Sequence, residues 1–289
     1  MKRNELMRCS TTFSARSFLI GFLFMAIVGA EPTKSQAEDH PRPVEKARRT
    51  YMGRIVAQPM SHLGASWLVR PERNDEENAT EAFDQLGIEP GMTLVDLGCG
   101  NGFWTLPMAR ACQITTADQD VTQDDQVEPS TDRSKEETTD YTGEVLAVDI
   151  QREMLQKLRA NMARAKLDNI VPVLGKVDDP NLPKNEVDLV LLVDVYHEFS
   201  HPESMLWSIR ESLKPEGVIA LLEYRAEDPN VPIKPLHKMS KAQIIKEYRA
   251  SKLKLVREYN ELPWQHLMFF ARDDSPLPAI EPLPAVAPK

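Results

Sequence analysis

The chain has 289 residues, enough for one domain of ordinary size with appendages, and 42% of them are apolar, as a globular core requires. Its net charge of −9 argues against a nucleic-acid groove. Three cysteines (Cys9, Cys99 and Cys112) make no disulfide framework, and no Cys/His run has zinc spacing, so no metal is assigned.

In chain order, the first 17 residues carry Lys2, Arg3, Arg8 and Arg16 against Glu5, and residues 18–30, "FLIGFLFMAIVGA", carry no charge. Thirteen apolar residues fall short of the ~20 that cross a bilayer. A basic start, a short apolar centre and small residues after it predict a signal peptide, residues 1–37, for export to a periplasmic or secreted location. Cleavage is expected after Ala37 or, alternatively, after Ala30. A membrane anchor at 18–30 is the other reading; after cleavage no stable membrane span is expected. Residues 38–79 are expected to be a linker and a helical prelude, in which Tyr51, Met60, His62 and Trp67 are candidates to cover a cofactor or to pack a helix.

From residue 80 to 272, apolar runs alternate with helical patterns. "MTLVDLG" (92–98), "EVLAVDI" (144–150), "IVPVLG" (170–175), "VDLVLLVDV" (187–195) and "GVIALLEY" (217–224) read as strands. Unbroken Val/Leu/Ile runs suit a parallel sheet covered on both faces. Residues 151–166 place Met154, Leu155, Leu158 and Met162 on one helical stripe, and 202–214 repeat the pattern. A helix at 240–251 and two strands, "KLKLVREYN" and "WQHLMFFAR", close the domain. The predicted fold is α/β, Rossmann-like and doubly wound: a mostly parallel seven-stranded sheet with an antiparallel last strand. Residues 113–143 hold nine acids against two bases and few large apolar side chains, an acidic insertion unable to offset its ordering entropy. The Pro-rich tail, 273–289, is expected to be disordered.

Open α/β sheets bind ligands beyond the carboxyl ends of their strands, where the strand order reverses. Gly98, Gly100 and Gly102 lie at such an end, after Asp96 on a buried strand. A dinucleotide loop wants G-x-G-x-x-G, and the third position here is Phe103; a phosphate loop wants G-K-[ST], which is absent.

The stretches "VDLGCGNG" and "VLAVDI" resemble the first and second motifs of the class I S-adenosylmethionine-dependent methyltransferases, over roughly residues 80–271. Within that superfamily the prelude, "DDPNLP", "DVYHEFSHP" and "EYR…VPIKPLHKM" resemble a bacterial group of exported methyltransferase-like proteins of unassigned substrate. The resemblance implies S-adenosyl-L-methionine as cofactor. It places Asp96 near the methionine amino end, directly or through water, with the glycine loop under the cofactor. Asp149 would accept from both ribose hydroxyls, or serve as a helix N-terminal acid. Ile150 would pack on the adenine, and Asp178 or Asp179 would meet its amino group. Asp96 and Asp149 are 53 residues apart, further than the family usually needs, and the acidic insertion accounts for the excess.

Methyl transfer needs an aligned acceptor and excluded water, and a base only where the acceptor must lose a proton. Asp194, Tyr196, His197 and Glu198 are expected at the methyl group, with His197 the candidate base or else a structural histidine. Asp194 either touches the cofactor or fixes a loop. Glu223, Tyr224 and Arg225 are candidates for the acceptor pocket, with Arg225 pairing an acidic substrate or making a surface salt bridge. His237 and Lys238 lie on a loop that approaches it, and Trp264 and His266 read as core and edge residues. The expected function is methyl transfer to a small-molecule acceptor. A non-catalytic binding module is the alternative, and a protein or nucleic-acid methyltransferase a further one, disfavoured by "DVYH" in place of an Asn-Pro-Pro-Tyr motif and by the lack of a basic patch. Oligomeric state is not predicted.

Overall fold

In the computed structural model, which describes residues 49–113 and 143–284, the chain enters as a short ribbon, Thr50–Tyr51 (β1) against Arg54–Ile55 (β2). Met52 and Gly53 turn it, both at positive φ (47° and 103°), as a two-residue hairpin requires. Single 3-10 turns follow at His62–Gly64 and Trp67–Val69, then two short helices, Arg73–Glu77 (α1) and Ala79–Asp84 (α2). The prelude is therefore helical only from Arg73 onward and otherwise a ribbon and single turns. Gly53, Pro59, Gly64 and Pro71 interrupt a longer helix before it, and bonds to the domain hold that part of the segment instead.

The domain continues through Thr93–Leu97 (β3), Thr105–Ala111 (α3), Glu144–Asp149 (β4), Arg152–Ala165 (α4) and Ile170–Leu174 (β5). Next come Val187–Val193 (β6), Pro202–Ser212 (α5), Leu213–Tyr224 (β7), Lys241–Ala250 (α6), Leu253–Tyr259 (β8) and Gln265–Arg272 (β9). Seven strands form one sheet in the order β5-β4-β3-β6-β7-β9-β8. Strands β3 to β7 pair in parallel, and β9 inserts antiparallel to both neighbours, as the sequence predicts.

The apolar runs are continuous because both faces are covered. Val95, Leu97, Val190 and Leu192 point to the face packed by Met205, Leu206 and Ile209 of α5 and Tyr248 of α6. Their neighbours Leu94, Leu189 and Leu191 point to the face packed by Met108 of α3 and Leu155 and Leu158 of α4. The period of two thus survives in the packing although it is invisible in the residue types.

The tail departs from expectation up to residue 284. Ile280 donates its backbone N–H to Leu255 O (2.9 Å) on the edge strand β8 and packs on the core. Lys241 Nζ, ion-paired with Glu258, also donates to Leu283 O (2.9 Å). A covered sheet edge explains why a Pro-rich segment is ordered. The predicted signal peptide, nearly all of the acidic insertion and the last five residues lie outside the described residues.

Candidate active site

The strand order reverses between β4 and β6, which flank β3, and a cavity of about 590 Å³ opens at their carboxyl ends. Gly98, Gly100 and Asp149 line it. The backbone N–H groups of Gly98 and Cys99 both donate to Val148 O (2.9 and 3.0 Å), fastening the glycine loop to β4.

All three loop glycines have positive φ. Their missing Cβ atoms make room for the protein itself. A Cβ on Gly98 would lie 2.6 Å from Val195 Cγ2, one on Gly100 2.7 Å from Leu68 Cδ1, and one on Gly102 2.6 Å from Leu158 Cδ1. Gly98 and Gly100 still present bare backbone to the cavity; Gly102 does not, and serves the packing of α4 on the loop.

Asp149 ends β4 and is buried. Its Oδ2 accepts from Gly100 N (3.0 Å) and its Oδ1 from Gln151 N (2.8 Å). Each oxygen accepts one backbone N–H, leaving acceptor capacity on the carboxylate. Burial raises its pKa against the pull of those N–H groups. Ile150 and Val177 also line the cavity.

Three residues expected near the cofactor do not line the cavity. Asp96 is buried behind the loop, outside the lining, with Thr105 Oγ1 donating to its Oδ2 (2.5 Å). Asp178 and Asp179 lie off the wall, which Lys176, Val177 and Pro180 form instead. Lys176 N donates to Asp179 O (2.8 Å), closing a turn that leaves Asp178 exposed, and Asp179 Oδ1 is taken by Asn181 N (2.9 Å).

The prelude forms the cover. Gln58, Met60, Trp67 and Leu68 line the cavity; Tyr51 and His62 do not. Gln151 holds the cover to β4: its Nε2 donates to Met60 O (2.9 Å) and its Oε1 accepts from His62 N (2.8 Å). Arg73, buried and stacked over the Phe103 ring at 4.3 Å, brings a cation to the wall. Its Nε donates to Glu77 Oε2 (2.8 Å), and Glu77 Oε1 accepts from the Tyr224 hydroxyl (2.7 Å). Sequence reasoning missed Arg73, Glu77 and Gln151, none of which stands in a motif.

Asp194, His197, Glu198 and His237 also line the cavity, with Asp194 Oδ2 3.9 Å from the Arg73 guanidinium. Asp194 takes positive φ (51°), and Gln265 Nε2 donates to both its oxygens (3.0 and 2.8 Å). Burial, followed by the Glu77 and Glu223 carboxylates, pushes its carboxyl well above the usual range. His197 is buried; its Nδ1 lies 2.7 Å from Glu223 Oε2 and its Nε2 3.0 Å from His237 Nδ1. A carboxylate only accepts, so the proton is assigned to Nδ1 and the lone pair to Nε2. Burial disfavours the imidazolium, but Glu223 outweighs it and the His197 pKa is raised. Glu198, whose Oε1 accepts from Met60 N (3.1 Å), is pushed up to about 7 by burial. His237 is lowered, by burial and then by His197.

Tyr196 does not face the cavity. It is fully buried, and its hydroxyl donates to Glu247 Oε2 (2.6 Å) on α6, because the 3-10 turn at Tyr196–Glu198 sends adjacent side chains to opposite sides. Glu223 is bonded to His197 and does not line the cavity. Arg225 is turned away, donating to Leu262 O (2.5 Å), Pro263 O (3.1 Å) and Asn260 O (3.1 Å) of the β8–β9 connection. Lys238 is also off the wall, and His266 is buried against Glu227 (2.9 Å).

A parallel sheet with one inserted antiparallel strand, a glycine loop after β3 and an acid closing β4 define the class I methyltransferase architecture. A family profile described as a methyltransferase domain matches residues 88–262, and the chain belongs to that family, within the S-adenosylmethionine-dependent methyltransferases. It is similar in fold to a SAM-dependent methyltransferase from Aquifex aeolicus (TM-score 0.60, 18% identity, 73% of this chain and 98% of that one). It also resembles a TehB-like SAM-dependent methyltransferase from Corynebacterium glutamicum (0.49, 11%, 73% and 100%). A third is the magnesium protoporphyrin IX methyltransferase from Synechocystis, solved with bound SAM (0.44, 14%, 75% and 86%).

Proposed function

We propose that the chain transfers a methyl group from S-adenosylmethionine to a small-molecule acceptor held in the same cavity. The observation that carries this reading is the Asp149 carboxylate. It is buried at the strand-order reversal, fixed by one N–H on each oxygen, and faces a cavity of a size that holds small ligands. Such a group suits a vicinal diol, and Asp149 would hold the ribose hydroxyls. Ile150 would cover the adenine face, and Gly98 and Gly100 would allow close approach along the backbone.

When bound, the cofactor would supply an electrophilic methyl group on a sulfonium sulfur that serves as leaving group and retains the electron pair. The chain's part is to align the acceptor, exclude water and favour loss of any acceptor proton. Met60, Trp67 and Leu68 exclude water from above. His197, His237 and Glu198 stand where an acceptor proton would be released, with Glu223 orienting His197. The cover favours a small acceptor over a macromolecule, because the prelude lies across the cavity and is bonded to both sides of it. We further propose export of the chain, on its basic start and short apolar segment.

Titration calorimetry of the full chain with S-adenosylhomocysteine tests the cofactor site. Saturable binding is expected, weakened at least tenfold (about 1.4 kcal/mol) in Asp149→Ala. A folded parent that does not bind, or a variant that binds equally, would overturn the assignment.

A further inference from the structure

His197, Glu198 and His237 converge from two loops, 40 residues apart in sequence. His197 Nε2 lies 3.0 Å from His237 Nδ1, and Glu198 Oε1 lies 3.9 Å from each. Donor atoms around a tetrahedral zinc ion are separated by about 3.3–3.4 Å when the bonds are roughly 2.0–2.1 Å long. The observed triangle brackets that spacing and needs only small side-chain shifts to meet it.

Three further observations fit a metal centre. The imidazole edges face each other, with ring centroids 5.0 Å apart and planes 86° apart. Glu223, fully buried, binds His197 Nδ1 and so aims its Nε2 lone pair into the triangle. A carboxylate behind a ligating histidine is the usual outer support of a zinc ligand. All three residues line the cavity, so a fourth coordination position opens toward it.

We propose that His197, Glu198 and His237 bind a divalent transition-metal ion of the zinc type, with one coordination position open to the acceptor half of the cavity. Two imidazoles with one carboxylate favour such an ion over magnesium or calcium, which take oxygen donors. The ion would hold an acceptor hydroxyl or thiol and favour its ionised form. That role rests on the proposed methyl transfer; binding of the ion does not.

The test is titration of the full chain, first stripped with a chelator, with zinc ion against a chromophoric competitor. Cobalt(II) serves as a spectroscopic substitute. One zinc per chain is expected, with a visible cobalt spectrum of mixed nitrogen and oxygen ligation. His237→Ala, on a partly exposed loop, and Glu198→Gln should each weaken zinc at least 100-fold; circular dichroism checks their fold, and either folded variant suffices. Asp149→Ala should keep zinc and bind S-adenosylhomocysteine at least tenfold more weakly. A folded parent without stoichiometric zinc, or unchanged affinity in the folded variants, would overturn the site. Loss of the methyltransferase reading would show differently, as a parent that binds zinc and no S-adenosylhomocysteine.

Discussion

Asp96 and Asp149 sit near the ends of neighbouring strands, yet only one reaches the cavity. Asp149 is the last residue of its strand, whereas Asp96 precedes Leu97 and is covered by the glycine loop, with Thr105 as partner. Burial raises the Asp96 pKa from 3.8 to about 6. The folded state therefore binds this proton more tightly than the unfolded chain between those values. Stability falls as pH rises through that window, by about 3 kcal/mol in all, and this contribution is flat above it. Asp96→Asn lacks the fall. Urea unfolding from pH 4 to 7 should show the variant gaining on the parent up to about pH 6 and then holding the gain; parallel curves would sink the idea. The motif made both acids legible. Which one lines the cavity was not, because that depends on how the loop after β3 packs.

At the scale of elements, the N-terminal ribbon has no core of its own. Arg54 fastens it to α6, donating to both oxygens of the fully buried Glu247 (2.7 and 3.1 Å), and to the β6 loop through His197 O (3.0 Å). Tyr196 and Gln243 donate to the same carboxylate. Arg54→Met would leave a buried anion short of its cation, at a cost of about 3–5 kcal/mol. A lower melting temperature and faster proteolysis between residues 49 and 70 are expected, and parent-like behaviour in both would refute the anchoring role. Long helices such as α4 were legible from their periodic stripe. The prelude was legible as a candidate cover, but what fastens it was not, because single long-range bonds by Arg54, Gln151 and Glu198 hold it, and such bonds leave no period in sequence.

For the whole molecule, the proposed export has its own test. Residues 1–40 fused to a reporter that works only outside the cytoplasm should give activity; normal expression of an inactive fusion would refute it. Unbroken apolar runs alternating with amphipathic stripes pointed to a mostly parallel sheet covered on both faces, since the intervening helices supply the crossovers and cover both sides of such strands. The glycine motif and the acid at the end of β4 marked the strand ends where the cavity opens. Tertiary structure alone decided what surrounds that place. It filled the space beside each loop glycine with Val195, Leu68 or Leu158, turned Tyr196 inward and Arg225 away, and ordered the tail along an exposed sheet edge. It also brought His237 to His197 and Glu198, because a chain can close a polar cluster between two loops only once the sheet has fixed the distance between them.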